Sequence, residues 1–263
     1  MKKLPLVSVV INCHNGEKFL RECINSIIKQ KYKNWEIIFW DNLSTDKSQQ
    51  IINSFKDKRI RVYKSKVFTS LYKARNLAIK KTKGRYICFL DTDDKMFSDK
   101  ILKQVRFLEK NLSFKMVYSN YFILKQKMKN LSLRHNKKFN SGKITQELIN
   151  DYSVGILTVL IHRKVFKNLK FNDKFNIIGD FDFFVKTSLK HKIAYMNEPT
   201  AIYRLHNENY TNKNLDKFIN ELNFWLKTNS EYFSKKNISL LSQKYYLIKL
   251  KIKYFLKKVF KKN

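Results

Sequence analysis

Glycine and proline are scarce in this chain, whose 263 residues include five glycines and two prolines. Linkers between independent domains draw heavily on these residues, for flexibility or for stiffness. No segment has such a composition, and no repeat of fixed period is present. The length allows one large domain, alone or with a helical appendage. The composition therefore argues against several small domains joined by linkers.

Cysteine is also rare, with three residues and no CxxC pair. Cys13, Cys23 and Cys88 each have apolar neighbours, so we expect buried free thiols in a reducing compartment. No apolar run approaches the length of a membrane span. The run near the start of the sequence is short and leads to Asn12 rather than to a small-residue cleavage site. These features predict a cytosolic protein.

Acidic residues are few, at 21 against 55 basic ones, which gives a net charge of +34. This excess suggests an anionic partner such as a nucleotide, a lipid headgroup or a nucleic acid. Heavy use of Lys, Asn, Ile, Phe and Tyr would also follow from a biased genome, so charge alone is weak evidence. No helix-turn-helix, RNA-recognition or zinc pattern is present, and clustered carboxylates suit phosphate contacts badly. We therefore expect no specific nucleic-acid binding.

Apolar runs and amphipathic segments alternate over the first third of the chain. We predict strands at Leu6–Ile11, Trp35–Trp40, Arg59–Tyr63 and Tyr86–Leu90, and helices at Lys18–Gln30, after an N-cap at Ser44, and at Ser70–Thr82. Alternation with short connections implies right-handed crossovers and a mainly parallel α/β sheet flanked by helices. The rest is less regular, with a helix at Asp99–Asn111 and strands at Lys115–Phe122 and Gly155–His162.

Polar clusters follow three of the predicted strands: NCHN after the first, DNLSTD after the second and DTDD after the fourth. Parallel sheets bind ligands in the crevice beyond the carboxyl ends of their strands. We therefore expect the three clusters to meet in space and to form one site.

The cluster DTDD contains Asp91, Asp93 and Asp94. Two Asp residues separated by one position can hold Mg²⁺ or Mn²⁺, and the cation can hold a substrate diphosphate. An ordinary acidic turn is the alternative, and for Asp94 we expect no more than a role in orienting the loop. Dehalogenase-type phosphatases also use this spacing, but after the first strand and with Thr or Val two positions on. The position after the fourth strand excludes that class.

Asp41 and Asn42 end the second strand, where their side chains can hydrogen-bond the polar edge of a nucleobase. Ser44 to Asp46 are better explained as a helix cap. Arg75 can meet a base or a phosphate, and a surface salt bridge is an equally good explanation for it alone.

The order of these motifs resembles that of family 2 glycosyltransferases of the GT-A fold. The resemblance rests on VSVVINCHNGEKFLRECINSIIKQKYKNWEIIFWDNLSTDKS, then ARN, then KGRYICFLDTDD, and it continues through FNIIGDFDFFVKTSLKHKIAYMNEPTAIYRLH. It covers roughly residues 4–206, far more than a chance match to one short motif. It implies a Rossmann-like GT-A domain, a nucleotide-diphosphate sugar donor, most often UDP-linked, and Mn²⁺ or Mg²⁺.

The resemblance also implies roles for the residues at matching positions. The donor-side residues are Asn12 and His14 beside the nucleoside, Asp41 and Asn42 at uracil, Arg75 at base or phosphate, Asp91 facing ribose and metal, and Asp93 and His206 as metal ligands. Asn42 and Leu43 depart from the commoner Asp-Asp-Gly-Ser, so a base other than uracil stays open. A lone histidine such as His206 is otherwise usually structural.

On the acceptor side, Asp180 matches the general base, while Gly179 replaces the usual Glu. Asp182 is expected to hold the helix or the base in place. A helix N-cap is the alternative for Asp180, and the two roles are compatible. The implied reaction is an inverting single displacement that transfers a sugar to a hydroxyl of a glycan or lipid-linked acceptor. Because Asn42 and Gly179 depart from the family pattern, a catalytically inactive sugar-nucleotide-binding or scaffold protein is the alternative.

We predict a GT-A domain over residues 1–212, with a nucleotide-binding half (1–98) and an acceptor-binding half (99–212), and a basic helical extension over 213–263. Ile238–Asn263 contains eight Lys and no acidic residue. An apolar stripe recurs there at steps of four and three: Leu241, Tyr245, Ile248, Ile252, Phe255 and Val259. This pattern fits a helix on an anionic membrane, where a lipid-linked acceptor is found, at the inner face of the membrane. A helix packed on the domain with a solvated Lys face fits equally well.

Overall fold

Nine strands form one sheet in the computed structural model, which describes residues 4–128, 130–206 and 214–259. They are β1 (Val7–Cys13), β2 (Trp35–Asp41), β3 (Ile60–Lys64), β4 (Tyr86–Phe89), β5 (Lys95–Met96), β6 (Phe114–Lys125), β7 (Asn130–Leu133), β8 (Leu160–His162) and β9 (Lys192–Leu205). Their order is β3-β2-β1-β4-β8-β6-β9-β5, with β7 paired to β6.

The helices that cover this sheet are α1 (Glu17–Ile28), α2 (Ser48–Asn53), α3 (Leu71–Lys81), α4 (Lys100–Lys110), α5 (Thr145–Asn150), α6 (Val165–Asn168), α7 (Gly179–Lys190), α8 (Leu215–Ser234) and α9 (Leu241–Val259). The helix predicted after Ser44 begins at Ser48, so Ser44 is not its cap. The carboxylate of Asp46 accepts the N–H of Ser48 at 2.9 Å instead.

The first four strands in the sheet order are parallel, as the alternating pattern predicts. β1 pairs with β2 and with β4, and β2 pairs with β3. Every residue of β2 is buried, as are all but one of β1. Because helices cover both faces, β1 and β2 are mostly apolar and do not alternate between apolar and polar residues. The predicted α/β sheet of the GT-A type is confirmed.

The second half of the sheet is mixed. β8 runs antiparallel to both β4 and β6, whereas β6 and β9 run parallel with register shifts. The strand predicted at Gly155–His162 is shorter, because Ile156–Thr158 form a 3₁₀ turn. The N–H and the hydroxyl of Thr158 both donate to the carbonyl of Gly155, and its own carbonyl accepts from Gln104 of α4. The turn and α4 thus satisfy backbone groups that a strand ladder would otherwise use.

Two buried clusters fill the two faces of the sheet. One contains α1 and α4, and the other contains α3, α5, α7, α8 and α9. Trp225 and Leu222 of α8 are almost fully buried in the second cluster, together with Phe184 of α7. The predicted boundary between residues 212 and 213 lies outside the described residues, but both helices beyond it share the core of the preceding chain. The three cysteines are free and buried, as expected.

Helix α9 has two apolar faces. Leu247 and Leu250 are buried against the domain, at 7% and 6% exposed. The predicted stripe points elsewhere, with exposures of 73% for Leu241, 61% for Tyr245, 54% for Ile248, 55% for Ile252 and 66% for Phe255. The side chain of Val259 and residues 260–263 lie outside the described part. No described helix is both long and apolar enough for a bilayer crossing. The tail therefore packs on the domain and still presents the stripe to solvent.

Candidate active site

The three polar clusters meet, because β2, β1 and β4 are neighbours in the sheet. The N–H of Asn42 donates to the carbonyl of Cys13 at 2.7 Å, which joins the ends of β2 and β1. A Cβ on Gly16, at the start of α1, would lie 2.9 Å from the Thr92 hydroxyl in the loop after β4. The three polar clusters therefore lie together at one edge of the sheet, as expected.

Arg75 of α3 forms an ion pair with Asp91, with 2.7 Å between Nη2 and Oδ1. The Arg75 side chain is only 3% exposed, so a surface salt bridge is the wrong interpretation. Burial lowers the pKa of Arg75, but Asp91, Tyr72 and Asp180 together more than offset this and raise it. The guanidinium is therefore a fixed positive charge that pairs with Asp91 of DTDD and interacts electrostatically with Asp180 of GDFD.

Asp93 and His206 are 113 residues apart in sequence but are neighbours in the structure. Their Oδ2 and Nε2 atoms lie 2.9 Å apart, and the His206 ring packs at a tilt against Phe19 of α1, with 5.4 Å between the ring centroids. Burial, and then Asp91, raise the pKa of Asp93, while His206 opposes the shift. The two residues predicted to contact the same cation are thus adjacent.

This pair fits a cation site that the protein completes only in part. The described residues contain no group of three or more His, Cys, Asp or Glu side chains placed to hold a metal ion. Asp91 is engaged by Arg75, which leaves Asp93 and His206 as candidate ligands. A carboxylate oxygen and an imidazole nitrogen suit Mn²⁺ or Mg²⁺ if a bound ligand supplies further oxygens. A diphosphate would do so.

Asp94 and Arg204 connect the DTDD loop to β9. Asp94 is 1% exposed, and its Oδ1 accepts the N–H of Arg204 at 2.9 Å. The Arg204 side chain donates to the carbonyl of Asp93 and to Glu22, and lies 4.3 Å from the centre of the Phe19 ring. Asp94 thus orients the loop, as expected. Arg204 was not among the site residues predicted from the sequence.

Two buried polar atoms at the nucleoside side have no partner in the described chain: Asp41 Oδ2 and Asn12 Nδ2. Asp41 is 1% exposed and its other oxygen accepts the N–H of Ser44 at 2.8 Å. Buried polar atoms in folded proteins are nearly always hydrogen-bonded. A ligand that offers both a donor and an acceptor edge, as a nucleobase does, would satisfy both atoms.

Asn42 is held by a loop instead of facing open space. Its Nδ2 donates to the carbonyl of Thr69, and its Oδ1 accepts from the hydroxyl and the N–H of the same residue. It is 5% exposed, so most of its hydrogen-bonding capacity is used within the protein. The next residue, Leu43, has φ 67°, a left-handed conformation that glycine adopts without strain.

His14 and Phe68 form an aromatic pair beside this edge. Their ring centroids are 4.7 Å apart, and Nδ1 of His14 lies 3.1 Å from the carbonyl oxygen of Asn42. Phe68 is 60% exposed in the loop before α3. The sequence offered no signal for Phe68, since a single aromatic in a loop fits no motif. Exposed rings beside unsatisfied polar atoms suit a stacked base.

Asp180 lies in the first turn of α7, which begins at Gly179. Its Oδ1 accepts the N–H of Phe181 at 2.8 Å and the hydroxyl of Tyr72 at 3.4 Å. Ile178 is the residue that precedes the helix, so Asp180 is not the N-cap. Burial raises the pKa of Asp180, and Arg75 partly opposes the shift. A partly buried carboxylate with a raised pKa suits proton transfer.

Helix α8 fixes the start of α7. The Glu221 carboxylate accepts the N–H groups of Asn176, Ile177 and Ile178 at 2.7, 2.9 and 3.1 Å. Asp182, which is 1% exposed, accepts Trp225 Nε1 at 2.8 Å and pairs with Lys186. Of the two roles expected for Asp182, the structure shows the one in which it holds the helix.

Comparison with known proteins shows which family this chain belongs to. A sequence model described as glycosyl transferase family 2 matches residues 8–172. The chain belongs to that family. It is therefore a glycosyltransferase, as the motif order implied.

Three similar proteins bear on the chemistry. An uncharacterised glycosyltransferase of Haemophilus influenzae is 30% identical over 251 residues, covering 93% of this chain and 94% of its own. The Escherichia coli protein WfaP, named a UDP-Glc:α-D-GlcNAc-diphosphoundecaprenol β-1,3-glucosyltransferase, is 36% identical over 168 residues, or 64% of this chain and 65% of its own. The structure of a Pyrobaculum calidifontis mannosyltransferase with GDP-Man and Mn²⁺ has a TM-score of 0.67 at 13% identity, covering 94% of this chain and 70% of that one.

Proposed function

We propose that this glycosyltransferase moves a sugar, with inversion, from a UDP-sugar to a hydroxyl of a lipid-linked glycan acceptor. The observation that carries the proposal is a chain of contacts between two motifs: Arg75 pairs with Asp91 of the donor side at 2.7 Å and lies 5.4 Å from the centre of the Tyr72 ring, whose hydroxyl reaches Asp180 of the acceptor side at 3.4 Å. Donor-binding and acceptor-activating groups are thereby held next to one another. Such proximity is what a direct displacement requires.

The nucleoside is proposed to bind at the ends of β1 and β2. Asp41 Oδ2 and Asn12 Nδ2 would receive the base edge, and His14 and Phe68 would lie against its face. UDP is favoured over GDP because the Escherichia coli relative WfaP is named for a UDP-Glc donor. In this arrangement Asn42 supports the site by holding the loop at Thr69 instead of contacting the base.

The diphosphate is proposed to lie beside Asp91, Asp93 and His206. Bound by Asp93 and His206, Mn²⁺ or Mg²⁺ would neutralise charge on the departing diphosphate. Arg75 holds Asp91 in place and limits the repulsion between that carboxylate and the donor.

Asp180 is proposed to act as the general base. Its carboxylate accepts the proton of the acceptor hydroxyl while the hydroxyl oxygen attacks the anomeric carbon and the bond to the diphosphate breaks. This help typically contributes about 10²–10⁴-fold to rate. Tyr72 and the N–H of Phe181 both bond Oδ1, which leaves Oδ2 for the acceptor proton. No covalent sugar–enzyme intermediate is needed.

The exposed stripe of α9 is proposed to rest on an anionic membrane, which would place the enzyme at the inner face where the acceptor is. Its five exposed apolar residues are flanked by lysines, the composition of interfacial helices. Co-sedimentation with anionic liposomes tests this: wild type should bind, and Ile248→Glu/Ile252→Glu should not. Equal sedimentation of both would remove the stripe from the membrane contact.

A donor panel tests the whole proposal. UDP, GDP, CDP and dTDP are compared by thermal shift with Mn²⁺, and UDP-sugars are then assayed for hydrolysis and for transfer to a lipid-diphosphate-linked GlcNAc. We expect stabilisation by UDP and transfer with inverted anomeric configuration. Binding without hydrolysis or transfer would instead support an inactive sugar-nucleotide-binding protein.

A further inference from the structure

A cavity of about 530 Å³ opens beside Asp180. One wall comes from the segments next to α5 and α7, including Tyr152 and Phe181. The other comes from the C-terminal helices, with Tyr245 and Lys249 of α9. The C-terminal helices therefore help to form a cavity that the proposed base also lines.

The cavity carries unneutralised positive charge. Arg134 and Lys249 both line it, and neither forms an ion pair within the part of the chain that the structure describes. Lys249 lies 4.5 Å from the centre of the Tyr245 ring. The carboxylate of Asp151, another lining residue, is already paired with Lys137 at 2.5 Å. Apart from the proposed base Asp180, the charge available to a ligand is thus cationic, which suits phosphate oxygens.

The cavity is also continuous with an apolar surface. Tyr245 is both a lining residue and a member of the exposed stripe of α9. Beyond it along the helix, Ile248, Ile252 and Phe255 are each more than half exposed. The cavity and the adjoining stripe therefore offer a ligand a carboxylate, two cations and a hydrocarbon surface. A saccharide joined through a diphosphate to a lipid has groups that match all three.

We propose that this cavity is the acceptor site and that Arg134 and Lys249 bind the diphosphate of a lipid-diphosphate-linked saccharide. The saccharide hydroxyl then faces Asp180, and the lipid leaves along the exposed stripe of α9. The inference rests on the proposed function, since it takes Asp180 as the base. It assigns the C-terminal extension a direct part in acceptor recognition.

Equilibrium binding tests the proposal without requiring turnover. The probe is a fluorescent short-chain lipid-diphosphate GlcNAc, titrated by anisotropy against the full chain. Arg134→Ala/Lys249→Ala should weaken its binding about tenfold or more, because two charge-assisted contacts are lost. Affinity for UDP with Mn²⁺ should stay unchanged. The charge-matched control Arg106→Ala/Lys110→Ala removes two exposed cations from α4, on the opposite face of the sheet, and should bind the probe like wild type.

Two further ligands separate diphosphate recognition from general attraction to lipid. Wild type should prefer the diphosphate probe to the same lipid glycoside without phosphate, and the double variant should lose that preference. Equal affinity of wild type and the double variant for the diphosphate probe would overturn the assignment. If the double variant lost binding to phosphatidylglycerol vesicles but kept its affinity for the diphosphate probe, Arg134 and Lys249 would contact the membrane and the acceptor-site assignment would be overturned. Failure of UDP binding and transfer would instead reject the proposed function.

Discussion

The ring of Tyr72 occupies the space that a side chain at Gly179 would need. A Cβ built on Gly179 would lie 2.4 Å from Tyr72 Cε2. The Tyr72 hydroxyl, at the other end of the ring, donates to the carbonyl of Ile177 at 2.9 Å and reaches Asp180 at 3.4 Å. Where the family usually has Glu, this chain thus has Gly179, and Tyr72 of α3 fills the space beside it and contacts the proposed base.

Gly179→Ala should therefore destabilise the protein and misplace Asp180. Overpacking a buried site typically costs about 1–3 kcal/mol. Because the clash is with one ring, the cost should be smaller in a Tyr72→Ala background, which a double-mutant cycle of urea unfolding measures. Equal costs in both backgrounds would show that Tyr72 does not limit position 179.

Asp180→Asn should abolish transfer and leave UDP affinity unchanged. The amide cannot take the proton, so a loss of at least about 10²-fold in kcat is expected. Asp182→Asn is the matched control: it should lower stability through Trp225 and Lys186 but keep measurable transfer. Full turnover by Asp180→Asn would exclude Asp180 as the base.

The pH dependence of the same residue has a definite sign. Burial raises the pKa of Asp180 in the folded state above its usual value of 3.8. The folded protein therefore binds the Asp180 proton more tightly than the unfolded chain does. As pH rises from the usual pKa of 3.8 to the raised pKa of the folded state, the contribution of Asp180 to the free energy of unfolding falls. Activity should show the opposite trend, with kcat/KM declining as pH drops through the folded-state pKa. Asp180→Asn should have a Tm at least as high as wild type at neutral pH, with the difference vanishing in acid.

Asp93→Ala should remove the dependence of UDP affinity on Mn²⁺. Isothermal titration with and without the metal is the measurement, and Asp99→Ala, which removes a surface carboxylate paired with Lys103, is the control. Unchanged metal dependence in Asp93→Ala would take this residue out of the cation site.

The architecture of the donor half was predictable because its signals are local. The alternation of apolar strands and amphipathic helices predicted that the ends of β1, β2 and β4 lie together. The order of the motifs then pointed to Asp91 and Asp93 as candidate donor-site residues. Contacts between distant segments leave no such periodic signal. Two such contacts are the hydrogen bonds between Asn42 and Thr69 and the packing of the Tyr72 ring against Gly179. The two faces of α9 could not be told apart either, because both are apolar in sequence.

Leu43→Gly should stabilise the protein. Leu43 has φ 67°, and a left-handed conformation costs a residue with a Cβ roughly 1–2 kcal/mol. Glycine gives back part of this gain through its greater freedom in the unfolded chain, so we expect a net gain of up to about 1 kcal/mol. Asn237→Gly is the control, since Asn237 also has positive φ but asparagine tolerates it. A lower Tm for Leu43→Gly would mean that the Leu43 side chain contributes more than the strain costs.

Glu221→Gln tests whether α8 acts on the proposed base. Glu221 lies on a helix beyond the predicted domain boundary, yet it accepts three successive backbone N–H groups immediately before α7. Hydrogen bonds to a charged acceptor contribute about 1.5–3 kcal/mol each, and an amide retains only one accepting oxygen. We expect a loss of stability of about 2 kcal/mol or more, together with a fall in kcat at unchanged UDP affinity, because the turn that carries Asp180 loosens. Glu231→Gln, on the same helix but 81% exposed and paired only with Lys235, should change neither quantity. If Glu221→Gln lowered stability while kcat stayed at the wild-type value, α8 would support the fold without positioning Asp180.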